Sequence, residues 1–201
     1  MFDLIIERGK LVDGTGANAR HADVAVKGGY ISEIGDLSHE TATERIDASG
    51  LVVAPGFIDS HCHSDLALFS DPTAECKVCQ GVTTEIVGNC GWSVFPMVKA
   101  TRNTIQEHSK PIFGHPEVDW SWSDLNGYWN ALGEHGTGVN VATLVGHGFV
   151  RNAVLGYEDR QANDRELDLM CNHINESMSS KATEPSPSSR AVTNTSICFF
   201  T

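Results

Sequence analysis

The sequence predicts an α/β protein in two parts: an all-β unit over residues 1–53, then alternating strands and helices over residues 54–178. Short alternating or β-branched runs separated by Gly-containing turns fill the first part. From residue 54 the rhythm changes to strand, helix, strand, which argues for parallel βα units, and after residue 178 all periodicity stops.

The elements follow in order. Asp3-Leu4-Ile5-Ile6-Glu7-Arg8 is apolar and β-branched in its middle and leads to the turn cluster Asp13-Gly14-Thr15-Gly16, a strand and a turn. Residues 22–27 alternate, Gly28-Gly29 is a hairpin signal, and residues 30–34 alternate again. Ile46-Asp47-Ala48 and Leu51-Val52-Val53 add short strands around Ser49-Gly50. Asp71-Pro72 predicts a helix with proline at its first position, running through Gln80 to a cap at Gly81. Thr83 to Gly88 is the next strand, residues 97–109 a helix, residues 110–123 a loop, and Ser123-Asp124 the opening of another helix. Val139 to Val145 is a buried-strand run ending at Gly146-His147-Gly148. Asn163-Asp164-Arg165-Glu166 opens a helix with Leu167, Met170, Ile174 and Met178 at helical spacing. From Ser179 to Thr201, a Ser/Thr-rich segment lacks the apolar content to order itself. It is expected to be a disordered or aberrant tail produced by truncation or frameshift, with a genuine disordered C-terminus as the alternative.

Composition bounds the function. At 201 residues and 40% hydrophobic content the chain can bury a sizeable core. A net charge of -12 argues against nucleic acid or an anionic membrane as partner. The sequence has no apolar run long enough to cross a membrane and no basic region of a signal peptide at its N-terminus, so a cytoplasmic protein is expected. In that setting its six cysteines read as free thiols or metal ligands rather than a disulfide framework.

The most informative stretch is Ala54 to Asp65, Ala-Pro-Gly-Phe-Ile-Asp-Ser-His-Cys-His-Ser-Asp. In an extended strand alternate side chains share a face, so His61 and His63 would point one way and Cys62 the other. Two imidazoles about 6–7 Å apart along a strand can converge on one divalent metal. The competing reading is two ordinary strand histidines. Asp59 and Asp65 flank the pair as carboxylates able to orient imidazoles or bind metal.

This stretch resembles the Pro-Gly-Phe-Ile-Asp-x-His-x-His signature of the amidohydrolase superfamily. The run Gly81-Val82-Thr83-Thr84-Glu85-Ile86-Val87-Gly88-Asn89-Cys90-Gly91 is similar to the second strand of its D-aminoacylase branch, the N-acyl-D-amino-acid deacylases, in which a cysteine ligates the metal. The resemblance covers residues 1–178. It implies that residues 1–53 are part of a small β-sandwich and residues 54–178 the first three βα units of an incomplete TIM-like barrel. It also implies zinc, one or two ions in the complete family site, and a small N-acyl amino acid as substrate. His61, His63 and Cys90 are the ligands this sequence offers, and one βα unit separates His61 from Cys90. The family's two further histidines and its general-base aspartate would lie beyond residue 178, so the chain as given is expected to be inactive.

Each remaining candidate carries an alternative. Cys90 is a metal ligand or a small buried hydrophobe. His147, between two glycines that leave room for an approaching group, is a catalytic candidate or a loop histidine. Asp65 is a catalytic residue that supports a ligand, or a simple cap. Arg151 could meet a substrate carboxylate with two parallel hydrogen bonds, or be a solvated helix-start arginine. Cys76-Lys77-Val78-Cys79 lacks a second cysteine pair and reads as a coincidental helix spacing rather than a redox or zinc motif. The leading function is hydrolysis of N-acyl amide C–N bonds. A cyclic amidase of dihydroorotase or dihydropyrimidinase type and a non-catalytic metal-binding or interaction module are the alternatives. Oligomeric state is left open.

Overall fold

The computed structural model describes residues 1–114, 118–180 and 197–200. The N-terminal part comprises β1 (Phe2–Glu7), β2 (Lys10–Leu11), β3 (Arg20–His21), β4 (Asp23–Lys27), β5 (Tyr30–Gly35), β6 (Ala42–Asp47) and β7 (Val52–Pro55). β4 and β5 form the expected hairpin, with Gly28 and Gly29 both at positive φ in the turn. One sheet has the order β5-β4-β1-β6, with β1 antiparallel to β4 and parallel to β6. Ile5 and Ile6 are adjacent and both buried because this sheet is covered on both faces. Ile6 and Val24 pack with Leu11 and Val53 of the second sheet, while Ile5 and Ala25 pack with Leu37.

The rest of the chain runs β8 (Phe57–Asp59), α1 (Ala67–Ser70), α2 (Glu75–Val78), β9 (Val82–Val87), α3 (Arg102–Phe113), α4 (Leu125–His135), β10 (Asn140–Thr143), α5 (His147–Leu155), α6 (Asp164–Ser179) and β11 (Ile197–Phe200). β8, β9 and β10 form a parallel sheet in the order β10-β9-β8, with helices in the crossovers that parallel neighbours require. The largest apolar cluster lies beside it. Phe69 stacks on Trp122 with ring centroids 5.5 Å apart, and Tyr128 packs tilted against both while stacking on Phe95. The Trp122 indole N–H donates to the Val94 carbonyl at 2.9 Å, so this aromatic group closes without an unsatisfied donor. No helix among the described residues is long and apolar enough to cross a membrane.

Several expectations are corrected. No helix starts at Asp71-Pro72. Residues 71–74 make a turn, in which the Ala74 N–H donates to the Asp71 carbonyl and the Gly138 N–H donates to the Pro72 carbonyl at 2.6 Å. Ala74 sits at φ 48°, which a continuous helix cannot include, and α1 and α2 flank it as two short pieces. α3 begins later than expected and continues through Pro111 into what was read as loop. The proline occupies the last turn, and the Gly114 N–H to Lys110 carbonyl bond still closes it. α6 forms with a complete capping box between Asn163 and Glu166, but of its apolar stripe only Met170 is buried, while Leu167, Ile174 and Met178 are exposed. The tail expected to be disordered contributes β11, which pairs antiparallel with β7 at the edge of the second sheet, of order β11-β7-β2-β3. Residues 181–196 and Thr201 of that tail, and 115–117 of the expected loop, lie outside the described residues.

Candidate metal centre

β8 ends at Asp59, so His61 and His63 stand on the loop beyond the strand rather than on one strand face. They converge nonetheless, their rings 5.9 Å apart and inclined at 68°. The third member arrives from the next βα unit. β9 ends at Val87 and the chain folds into a tight turn at Asn89–Gly91, in which Cys90 adopts φ 56°, ψ 22°. That left-handed conformation costs a non-glycine residue about 1–2 kcal/mol and turns the thiol toward the histidines. Cys90 Sγ lies 3.1 Å from His61 Nε2, and one ligand atom from each of His61, His63 and Cys90 falls within 4.8 Å of the others.

These residues fit a metal. Two imidazole nitrogens and a thiolate are the donor types zinc takes, and three protein donors leave a position open. His63 Nδ1 is buried and has no hydrogen-bond partner among the described residues, an unsatisfied polar atom that calls for a ligand.

The supporting contacts join the two loops. The Asn89 amide donates to the carbonyls of Ile86 at 2.7 Å and Cys62 at 3.3 Å. Asp65 is fully buried and accepts from the Gly88 N–H at 3.0 Å, while its other oxygen has no partner among the described residues. Burial, opposed by hydrogen bonds from its own N–H and that of Gly88 and aided by the nearby Glu85 charge, pushes its carboxyl up to about 7. The Asp65 side chain therefore caps no helix. α1 has no side-chain cap, and Asp65 instead ties the histidine loop to the entrance of the Cys90 turn.

His147 is the first residue of α5 rather than a loop residue, and it borders a cleft of about 230 Å³ together with Cys90, Trp92 and Asn152. The glycines beside it leave room for backbone, not for a ligand. A Cβ on either Gly146 or Gly148 would come within 2.8 Å of the Gly91 carbonyl oxygen, so these residues let the start of α5 dock on the Cys90 turn. Arg151 is accounted for without a substrate. Its guanidinium donates to the carbonyls of Glu158 at 2.7 Å, Arg160 at 2.9 Å and Gly156 at 3.5 Å, holding the loop after α5. Cys76 and Cys79 are exposed free thiols on and just after α2.

Sequence reasoning missed Glu85 and Lys77. Glu85 is fully buried in β9, where a carboxylate amid Val, Thr and Ile was the available signal. Lys77 reaches it at 3.1 Å and Asp59 at 2.5 Å.

The amidohydrolase family model matches residues 44–186, most of the chain. The chain belongs to the amidohydrolase family. Within that family it is 40% identical over 185 residues to a D-aminoacylase of Alcaligenes xylosoxydans xylosoxydans, covering 90% of this chain and 36% of the relative. It is also 40% identical over 180 residues to an N-acyl-D-aspartate deacylase of the same organism, covering 90% and 35%. Among solved structures, an N-acyl-D-glutamate deacylase from Bordetella bronchiseptica, complexed with zinc and a phosphonate mimic of the tetrahedral intermediate, is similar with a TM-score of 0.76 at 35% identity over 90% of this chain and 37% of that one. A D-aminoacylase described for its binuclear metal centre is similar with a TM-score of 0.76 at 36% identity, over 89% and 36%. The amidohydrolase chain thus spans little more than a third of the length of these relatives.

Proposed function

We propose that the chain carries the metal-binding end of a zinc-dependent hydrolase of N-acyl amide bonds, with N-acyl-D-amino acids as the substrate class. The observation that carries this reading is the convergence of His61, His63 and Cys90 from two successive βα units. The similarity to deacylases of N-acyl-D-amino acids supports the substrate class. In this reading the parallel sheet β8-β9-β10 is part of a TIM-like barrel over residues 54–178. Residues 1–53, which supply most strands of the two packed sheets, are part of a β-sandwich. The position of the three residues just beyond the ends of β8 and β9 supports this reading, because barrel enzymes assemble their sites at that end of their strands.

His61, His63 and Cys90 would hold the ion, which when bound lowers the pKa of its water to about 7 and polarises a carbonyl. The protein's own residues do the rest. His63, half-buried with its ring edge against Phe113, is fixed in orientation by packing. Asp65 keeps the two ligand loops in register through Gly88. His147 and Asn152 line the cleft beside Cys90, where their polar groups can meet an acyl or amino-acid portion of a substrate. Of the two sequence candidates for a role in the chemistry itself, Asp65 and His147, His147 is the one facing open space.

The test is metal analysis of the purified chain after zinc loading and dialysis. One equivalent of zinc is expected, falling by more than half in His61→Ala, His63→Ala and Cys90→Ala. Equal zinc content in the triple variant would remove the basis of the proposal.

A further inference from the structure

The loop that carries His61 and His63 is gripped on both sides by carboxylates, and one ammonium holds both. Before the pair, Asp59 Oδ1 accepts the His61 backbone N–H at 3.2 Å. After it, the Ser64 hydroxyl donates to Glu85 Oε1 at 3.1 Å. Lys77 reaches from α2 to Asp59 Oδ2 at 2.5 Å and to the same Glu85 Oε1 at 3.1 Å. Asp59, Cys62 and Glu85 lie close enough together to form a second cluster of metal-ligating groups, and the Lys77 ammonium supplies the cation beside its two carboxylates. Burial works against that charge, but the hydrogen bonds to Asp59 and Glu85 outweigh it and raise the Lys77 pKa above its ordinary value. Glu85 is fully buried, and Lys77 is the cation it is paired with.

We infer that Lys77 is a positioning residue for the metal site: by bridging Asp59 and Glu85 it fixes both flanks of His61-Cys62-His63 and so sets the distance between the imidazoles and Cys90. The inference rests on the proposal that those three residues bind a metal. Groups that orient ligands from behind typically change metal affinity 10- to 100-fold when removed.

The experiment is a cobalt(II) titration of the full chain, read by the thiolate-to-cobalt charge-transfer band and the ligand-field bands, with far-UV circular dichroism as the measure of folding. Wild type should show a thiolate band at one equivalent. Lys77→Met should bind about 10- to 100-fold more weakly, with shifted ligand-field bands. Lys77→Arg, which keeps the charge and can bond both carboxylates, should recover most of the affinity and the wild-type spectrum. Lys77→Met leaves Glu85 buried without a counter-charge, so Lys77→Met/Glu85→Leu is the second variant. It removes both charges, should keep the fold, and should still bind weakly because the Ser64 flank is free. Wild-type affinity and spectrum in both Met variants would overturn the inference. So would loss of folding in both, since Lys77 would then be a general stability element. Absence of the thiolate band from wild type would overturn the metal-site proposal itself, and a band that is present and indifferent to Lys77 would overturn only the positioning role.

Discussion

Cys90 and His61 meet at 3.1 Å although 29 residues separate them, and they do so because Cys90 is held in a left-handed conformation that its side chain disfavours. The turn is thus shaped for the thiol's position at the expense of local backbone energy. Replacing Cys90 with glycine should relieve that strain and raise the stability of the metal-free protein by up to about 1 kcal/mol, while removing a ligand. Cys90→Ala keeps the strain and should give no such gain. Urea denaturation with and without zinc checks both. A glycine variant less stable than wild type in the absence of metal would contradict the strain argument.

The docking of α5 on that turn predicts a second effect. Gly148→Ala sets a Cβ against the Gly91 carbonyl oxygen, where neither backbone can yield cheaply. The variant should lose about 1–3 kcal/mol of stability and bind zinc more weakly, because Gly91 adjoins Cys90. Denaturation midpoint and zinc affinity should fall together. A variant that lost stability but kept full zinc affinity would separate α5 from the site.

The start of α6 carries a pH dependence. Hydrogen bonds from Arg160, then from the Asn163 N–H, hold the Glu166 carboxyl down at about 2, against 4.5 for the free group. A depressed pKa contributes stability above the unfolded value, and that contribution is lost as pH falls through the folded one. Helical signal from α6 should therefore decline between pH 4.5 and 2. In Glu166→Gln that decline should be absent or much reduced. Circular dichroism against pH in both proteins checks it, and identical acid profiles would rule out this pair as the cause.

Metal binding and turnover should separate. Among the described residues no carboxylate joins His61, His63 and Cys90 in one cluster; Asp59 and Glu85 are engaged by Lys77, and Asp65 is buried against Gly88. Lack of a general base typically costs 10²- to 10⁴-fold in rate. The 201-residue chain is therefore expected to bind zinc yet release no amine from N-acetyl-D- or N-acetyl-L-amino acids above the His61→Ala control. D-selective release abolished in that control would show that these residues suffice.

What could be read from the chain depended on whether the signal was local. Gly28-Gly29 announces its hairpin because the turn's φ values demand glycine, and Asn163-Asp164-Arg165-Glu166 announces its helix because the capping box is closed within four residues. His61, His63 and Cys90 were legible as donors from their types and spacing, although the strand alternation used to bring the histidines together belongs to residues that end at Asp59. Asp71-Pro72 misled because its turn is bonded to Gly138, far along the chain. Lys77 was invisible for the same reason, and the one signal for Glu85, a carboxylate among Val, Thr and Ile, could not name its partner: both acquire meaning only when folding places one ammonium between two carboxylates. The glycines around His147 were seen, but their partner, the Gly91 backbone, could not be.

The central claim is that one sulfur and two imidazoles of this chain share a metal, and X-ray absorption at the zinc edge measures that directly. The zinc-loaded chain should show one sulfur at about 2.3 Å and two imidazole nitrogens at about 2.0–2.1 Å. The sulfur shell should vanish in Cys90→Ser. A spectrum of nitrogen and oxygen alone in the wild-type protein, or one that Cys90→Ser leaves unchanged, would contradict the account.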